Sequence, residues 1–371
     1  MAKLTKRAQQ IREKVDANRT YSLDEAVALL SDQMQVTGEN RALLRRGLAL
    51  IRRAPRPGLA ALLDSARLRP ETVDETDILY QVAPRINAAG RVGSARQGVE
   101  VLLAEDSRQA RPLAAQLDQW NRRRREIDAQ VTQEALVQAG EALRQGDPAG
   151  LVLASPEWHL GVVGIAATRV VEAFDRPAVL LAVEGDEARG SGRSTRGVDL
   201  KAALDHCAEH LLRHGGHAAA AGMTLRAGRI DGFAEAFAEA CRRAPQEEQG
   251  ALLALDACLP LGAIDAGLAG FLERFGPFGP GHRAPLFAGL GLRPAHVRVL
   301  KEKHLKLRLH DGEGASFGFI GFGLAPEWRH HVEEGTRLDV AFRVRYRPGT
   351  GYDPWELTIQ DLRSPREEVS P

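Results

Sequence analysis

From about residue 98 to 145 the sequence is helical in pattern almost throughout, and Gly146-Asp147-Pro148 then breaks it. Leu113, Leu117, Trp120, Ile127 and Val131 mark one apolar stripe along this stretch. A helix of that length is more often a strut between lobes than an ordinary core helix. It splits the 371-residue chain into two parts with different patterns. At about 150 residues per domain, two or three domains are expected.

Before the strut the pattern is helical. Residues 1–30 read as two short helices, with Ser22 and Glu25 forming a capping box. RALLRRGLALIRR (41–53) has apolar residues at helical spacing and arginines opposite, and Pro55 and Pro57 end it. Another helix covers 58–67, and a third begins over Thr72–Tyr80 with Asp74, Glu75 and Asp77 in its first turn. These acids could suggest a metal site, but a helix start explains them better. All eleven histidines fall at or after His159, so none is nearby.

After the strut, strands alternate with helices. LVLAS (151–155) and AVLLAV (178–183) read as strands, and 163–174, 197–212 and 229–242 as helices, implying a parallel or mixed sheet. The composition shifts after Pro245. HVRVL, HLKLRLH, SFGFIGFG, LDVAFRVRYR and WELTIQDL lie between 287 and 362 as short β-like runs, which argue for a small barrel or sandwich. The fold class expected is α/β plus all-β.

Composition narrows the function. Lysine plus arginine is 50 and aspartate plus glutamate 49, so a globally basic nucleic-acid coat is excluded and a local basic groove is not. No apolar run approaches the ~20 residues of a membrane span, and the N-terminus has no apolar signal core. Three scattered cysteines without CxxC fit a reducing cytoplasm.

Five constellations carry chemistry. GSGRSTRG (190–197) offers small residues, Ser191, Ser194 and the planar fork of Arg193, which suit an anion; the alternative is a glycine-rich turn with a surface arginine. HGGHAAAAG (214–222) lets Gly215 and Gly216 approach a phosphate with His217 pointing at it, or forms a helix C-cap and a packing segment. APRINAAGRVGSAR (83–96) brackets a small-residue turn with Arg85, Asn87, Arg91 and Arg96; a phosphate site and a solvated helix junction both remain open. Arg122–Arg125 is a solvated face or a phosphate track. Lys301, Lys303, Lys306 and Arg308, with Arg343, Arg345 and Arg347, alternate with apolar residues near Phe317, Phe319, Tyr346 and Trp355. That pattern suits a single-strand groove or an ordinary amphipathic sheet.

Taken in order, TGENRALLRRGL, PRPGLAALL, APRINAAGRVG, LDQWNRRRREI, EWHLGVVGIAATR, GSGRSTRGVDL, GGHAAAAG, PFGPGHRAPLF and HLKLRL…IGFG resemble the RecJ family of the DHH phosphoesterase superfamily, over about residues 32–362. That family consists of bacterial single-strand-specific 5′-to-3′ DNA exonucleases acting in repair and recombination. The resemblance implies a mixed-sheet DHH-associated domain, a long connector helix and a C-terminal OB-fold-like barrel that guides single-stranded DNA. Its implied domains are a DHH-domain remnant at 32–97, the connector at 98–147, the DHH-associated domain at 148–245 and the OB-fold at 246–371. Ser191, Arg193, Gly215 and Gly216 are its implied phosphate or DNA contacts, joined by Asn87 and Arg91. His217 is the implied catalytic residue. Mn²⁺ or Mg²⁺ is the implied cofactor, and a single-strand-binding protein or a helicase the implied partner beside DNA.

The chain departs from the family in its first part. The Asp-His-His signature is missing, and Asp32 stands where the last metal-ligand motif ends. One carboxylate cannot hold a two-metal site. MAKLTKRAQQIREKVDANRTYSLDEAVALL resembles instead the start of the large-subunit ribosomal protein of the rRNA-binding stalk, a piece too short for an rRNA function of its own. The chain therefore reads as a junction of two genes carrying a truncated exonuclease, with catalysis absent or crippled. A non-catalytic single-stranded-DNA-binding module is the alternative, and a ribosome-associated protein a third. Leu43, Leu44, Leu48, Leu50 and Ile51 are expected to be exposed, since the lobe they would pack on is missing.

Overall fold

A computed structural model describes residues 35–244, 253–348 and 353–365. Asp32 and the ribosomal-protein-like segment lie outside the described residues. The described residues form two compact units, outer and inner by sequence order alone: the outer is made from those up to Tyr80 and those from 253 onward, and the inner from 81–244.

The outer unit opens with α1 (Gly38–Arg53) and α2 (Pro57–Ser65). Proline fits at the start of α2 because the first helical N–H needs no partner. Leu44, Leu48 and Ile51 recur at helical spacing and are buried, so the expected exposure holds only for Leu50, at 49%. α1 lies against the 3-10 turn Pro70–Thr72, and Arg52 Nε donates to Val73 O at 2.8 Å. The helix expected over Thr72–Tyr80 is replaced by a one-turn helix, Glu75–Asp77, and a π-helical turn, Ile78–Val82. Asp74 starts the helix there: it accepts from Thr76 N and Asp77 N, and Asp77 accepts from Asp74 N.

In the inner unit, α3 (Ala83–Val92) and α4 (Ala95–Leu103) precede α5 (Ser107–Gly146). The strut is thus two helices. Asp106 caps α5 by accepting from Arg108 N and Gln109 N, which fixes a new start inside the helical pattern. At 1.5 Å per residue the 40 residues of α5 run about 60 Å.

A five-stranded sheet follows, built from β1 (Leu151–Ser155), β2 (Ala178–Glu184), β3 (Glu187–Arg193), β4 (Leu211–His217) and β5 (Ala220–Arg226), in the order β1-β2-β3-β5-β4. β1 and β2 are parallel, joined through α6 (Leu160–Phe174), and the other pairings are antiparallel. α5 and α6 pack with Leu151, Leu153 and Leu180 on one face. α7 (Leu200–His206) and α8 (Ile230–Arg243) pack with Val179, Leu181 and Leu225 on the other. The helix expected over 197–212 covers only α7 and a 3-10 turn, because β4 already starts at Leu211.

The outer unit resumes with β6 (Ala257–Cys258) and α9 (Ala266–Phe275). β7 (Phe287–Leu300), β8 (His304–His310), β9 (Ser316–Gly321), α10 (Ala325–Glu333), β10 (Leu338–Tyr346) and β11 (Trp355–Arg363) complete it. β7, β8 and β9 form an antiparallel meander, and β9 pairs parallel with β11. β11 pairs with β10, and β10 returns to β7. That closure makes a five-stranded OB-type barrel with α10 between its third and fourth strands. Leu305, Leu307 and Leu309 fill its core with Phe319, Phe342 and Ile359, which turns Lys306 and Arg308 outward.

Two arginines of β10 and its end do not line an open groove. Arg345 Nε donates to Asp74 Oδ2 at 2.6 Å, and Arg347 Nη2 to Asp77 Oδ2 at 2.7 Å, with Glu356 beside both. Burial lowers the Arg345 pKa, but Asp74, Asp77 and Glu356 outweigh it and hold the group above its usual range. Phe278 N donates to Glu75 Oε1 at 3.1 Å, so all three early acids are held by the same unit.

Candidate phosphate and single-strand interface

Strand pairing brings the glycine-rich motifs together. GSGR is the end of β3, and HGGH is the end of β4, with β5 between them. Neither is the loop or helix cap considered from the sequence. Ser191 lies opposite Gly222, and Gly222 opposite Gly215; Arg193 lies opposite Ala220, and Ala220 opposite His217. Directly paired residues share a sheet face, so Ser191, Arg193, Gly215 and His217 face the same way. Gly192, Ala221 and Gly216 form the row between, on the face of α7 and α8.

α6 covers this face only over β2 and β3. A Cβ at Gly164 would stand 3.1 Å from both Arg193 Nη2 and Ser191 Oγ, and one at Gly161 2.3 Å from Arg91 O. These glycines let one helix sit tightly on both arginine-bearing segments. Arg91 Nη1 donates to Gly161 O at 3.0 Å. Beyond α6 the face is open: Gly215, Gly222 and His217 are exposed, and a Cβ at Gly215 would meet nothing within 4 Å. The floor is therefore bare backbone. Gly216 adopts φ +149°, and a Cβ there would overlap Ala220 O at 2.4 Å.

The electrostatics centre on Arg193. Its Nη1 donates to Ser191 Oγ at 2.9 Å and to Gly192 O at 2.8 Å. Burial, and then the neighbouring Arg91 guanidinium, hold its pKa below the usual arginine range. No carboxylate among the described residues pairs with it. An anion between the two guanidiniums would relieve both costs.

Other candidates stand further off. His217 lies two strand spacings from Arg193, about 10 Å between backbones, and its Nδ1 accepts from Ala219 N at 3.3 Å. Asn87 is exposed one turn before Arg91 on α3, and no hydrogen bond joins it to the others. In the Arg122–Arg125 run, Arg122 pairs with Asp118 and Arg123 with Glu126, while Arg124 turns inward. Burial raises the Asp128 pKa, and Arg124, Arg169 and Arg91 pull it back. Asp128 lies outside every motif considered above, and Gly161, Gly164 and Arg124 fall inside quoted segments in which nothing local marked their inward placement. Their roles depend on which segments pack together.

The donor set does not make a metal centre. Among the described residues no group of three or more His, Cys, Asp or Glu side chains could hold an ion. Asp74, Glu75 and Asp77 are engaged by the helix start, Arg345, Arg347 and Phe278 N. No described helix is long and apolar enough to cross a membrane.

Comparison with known proteins matches both units. The RecJ OB domain model matches residues 255–361, and the DHHA1 domain model residues 147–243. The single-stranded-DNA-specific exonuclease RecJ of Salmonella typhimurium is 34% identical over 350 residues, covering 91% of this chain and 60% of that protein. The crystal structure of Thermus thermophilus RecJ in complex with Mn²⁺ aligns with TM-score 0.74 at 29% identity, over 97% of this chain and 52% of that one. The chain thus spans about half the length of the RecJ proteins it matches. Separately, 32 residues are 69% identical to large ribosomal subunit protein uL1 of Chromohalobacter salexigens, over 9% of this chain and 14% of that one. With both domain models, the RecJ relatives and the barrel's strand order in agreement, the chain belongs to the RecJ family outside its ribosomal-protein-like segment.

Proposed function

We propose that this chain is the substrate-holding part of a RecJ-type 5′-to-3′ single-stranded-DNA exonuclease, working in the cytoplasm. Arg91, Ser191 and Arg193 take the 5′-terminal phosphate through charge-assisted bonds. Gly215 forms the bare floor over which the first nucleotides pass, Gly216 beside it contributes its backbone alone, and His217 donates to a phosphate at the open end. Asn87 contacts the strand beside Arg91. The outward cations of the barrel bind and guide single-stranded DNA within their own unit. A helicase or a single-strand-binding protein would deliver such an end.

The observation that carries this reading is the half-buried Arg193 guanidinium, set beside Arg91 and Ser191 with no carboxylate partner among the described residues. Mn²⁺ or Mg²⁺ is the cofactor this family membership implies. The described residues do not fit it, so no hydrolytic step is assigned to them. That donor set favours the second reading, a module that grips single-stranded DNA without cutting it.

The test uses a fluorescent single-stranded oligonucleotide with a 5′-phosphate or a 5′-hydroxyl. Anisotropy should show a preference for the phosphate, and Arg193→Ala should abolish it, a loss of about ten-fold for one charged hydrogen-bonding group. Equal affinity for both ends would overturn the assignment of the phosphate site. Nucleotide release with Mn²⁺ or Mg²⁺ should match that in EDTA. Metal-dependent release that Asp32→Ala removes would overturn the non-catalytic reading.

A further inference from the structure

We propose that Phe322 is a base-stacking residue, whose ring receives a base of single-stranded nucleic acid at the edge of the barrel's cationic face. This inference deepens the function proposed above and rests on it.

Phe322 directly follows β9 and is 60% exposed. A singly exposed apolar ring is ordinary, so what bears on its role is how the ring is held and what surrounds it. Here the exposure is built in. Gly323 takes φ +77°, which turns the chain sharply after the ring. Its N–H donates to His304 Nδ1 at 3.0 Å, and Ala325 N donates to Lys303 O at 3.1 Å. Leu324 then packs against the barrel core. The turn is pinned to the start of β8 on one side and to the core on the other, which leaves the ring in solvent. The His304 ring meets it edge-on, with centroids 5.4 Å apart and planes at 74°.

The surroundings specify the partner. Gly321 pairs with Leu305, so Phe322 stands next to His304, one step along β8 from the row of Lys306. Lys306 lies directly opposite Arg298 on β7, and both are exposed. Among the described residues neither forms an ion pair with an acid, and Lys301 and Lys303 add charge in the adjoining turn. Like charges directly opposite one another destabilise a strand pair. A polyanion lying along the row removes that repulsion. A polyanion whose units also carry flat rings satisfies Phe322 as well, and single-stranded nucleic acid is that partner. A duplex hides its ring faces, and the acidic side chains of a peptide carry none.

The test is anisotropy with a 5′-phosphorylated single-stranded oligonucleotide over a salt series, using Phe322→Leu, Phe322→Trp and Lys306→Ala. Phe322→Leu keeps the apolar bulk and loses the aromatic face. It should weaken binding about ten-fold at every salt concentration and leave the slope of log K against log salt unchanged. Phe322→Trp should restore affinity. Lys306→Ala should make the slope shallower instead. A 2-aminopurine placed along the strand should be quenched at one position by the wild type and not by Phe322→Leu. Wild-type affinity in Phe322→Leu overturns the inference alone. Absence of binding by the wild-type chain overturns the function proposed above as well. Displacement of the strand by poly-glutamate, weakened equally by Phe322→Leu, would assign the ring to a peptide and overturn the inference.

Discussion

Replacing Asp77 by alanine should unfold the outer unit far more readily than its single carboxylate suggests. Asp77 is 2% exposed and pairs with Arg347 at 2.7 Å and Arg345 at 3.5 Å. The arginine side chains are themselves only 15% and 28% exposed. The substitution leaves two largely desolvated cations with less countercharge, and removes the bond that Asp77 returns to Asp74 N. Breaking a buried pair from one side costs about 3–5 kcal/mol. Single domains are stable by only about 5–15 kcal/mol, so the loss is a large fraction of the whole. At a urea dependence of about 2 kcal/mol per molar, the midpoint should fall by roughly 2 M. Urea titration followed by hydrogen exchange, peptide by peptide, reads the two units separately. Glu333→Ala is the control, since its pair with Arg329 is half exposed and worth about 0.3–0.5 kcal/mol. If Asp77→Ala moved the outer-unit midpoint no further than Glu333→Ala, the acid–arginine cluster would be solvent-screened and the reasoning wrong.

Further outcomes follow from other sites. Gly216→Ala should cost about 1–3 kcal/mol, because φ +149° strains any side chain and the new Cβ overlaps Ala220 O; thermal unfolding read in the inner unit checks it. Gly164→Val should leave the protein folded and weaken the preference for a 5′-phosphate in anisotropy, since its Cβ presses on Arg193 Nη2 and Ser191 Oγ. Burial raises the Glu75 pKa above 4.5. Its favourable contribution is therefore complete below that value and is lost as pH rises through the folded pKa. Glu75→Gln keeps an acceptor for Phe278 N, so it should gain on the wild type as pH climbs from 4 to 7 in urea titrations, and a constant difference would refute this.

The parts of the fold that could be read in advance are those written in local periodicity. Leu305, Leu307 and Leu309 alternate with His304, Lys306, Arg308 and His310, so β8 and its outward cations were visible in the sequence. The strand character of GSGR and HGGH was not. Glycine, serine and alanine carry little strand preference, and β3, β4 and β5 exist through pairing with one another. Asp106 was hidden because one polar cap inside a long helical pattern does not interrupt its spacing. At the candidate site, Ser191 and Arg193 were readable by residue type. The closeness of Arg91 was not, because it depends on how tightly α6 sits, at Gly161 and Gly164. That Asp74 belongs to a helix start was legible, whereas its pairing with Arg345 spans 271 residues and leaves no local mark.

That last pairing has a bearing on synthesis. Asp74 and Asp77 leave the ribosome long before Arg345 and Arg347 exist. At about 5–20 residues per second, the interval for some 270 residues is roughly 15–50 s. The inner unit is one continuous stretch and can fold within that wait. The early helices cannot complete their own unit until the barrel arrives. During that time their carboxylates and the apolar side of α1 are open to chaperones or to wrong partners. A pause that lengthened translation of the middle of the gene would extend this window without altering the finished protein.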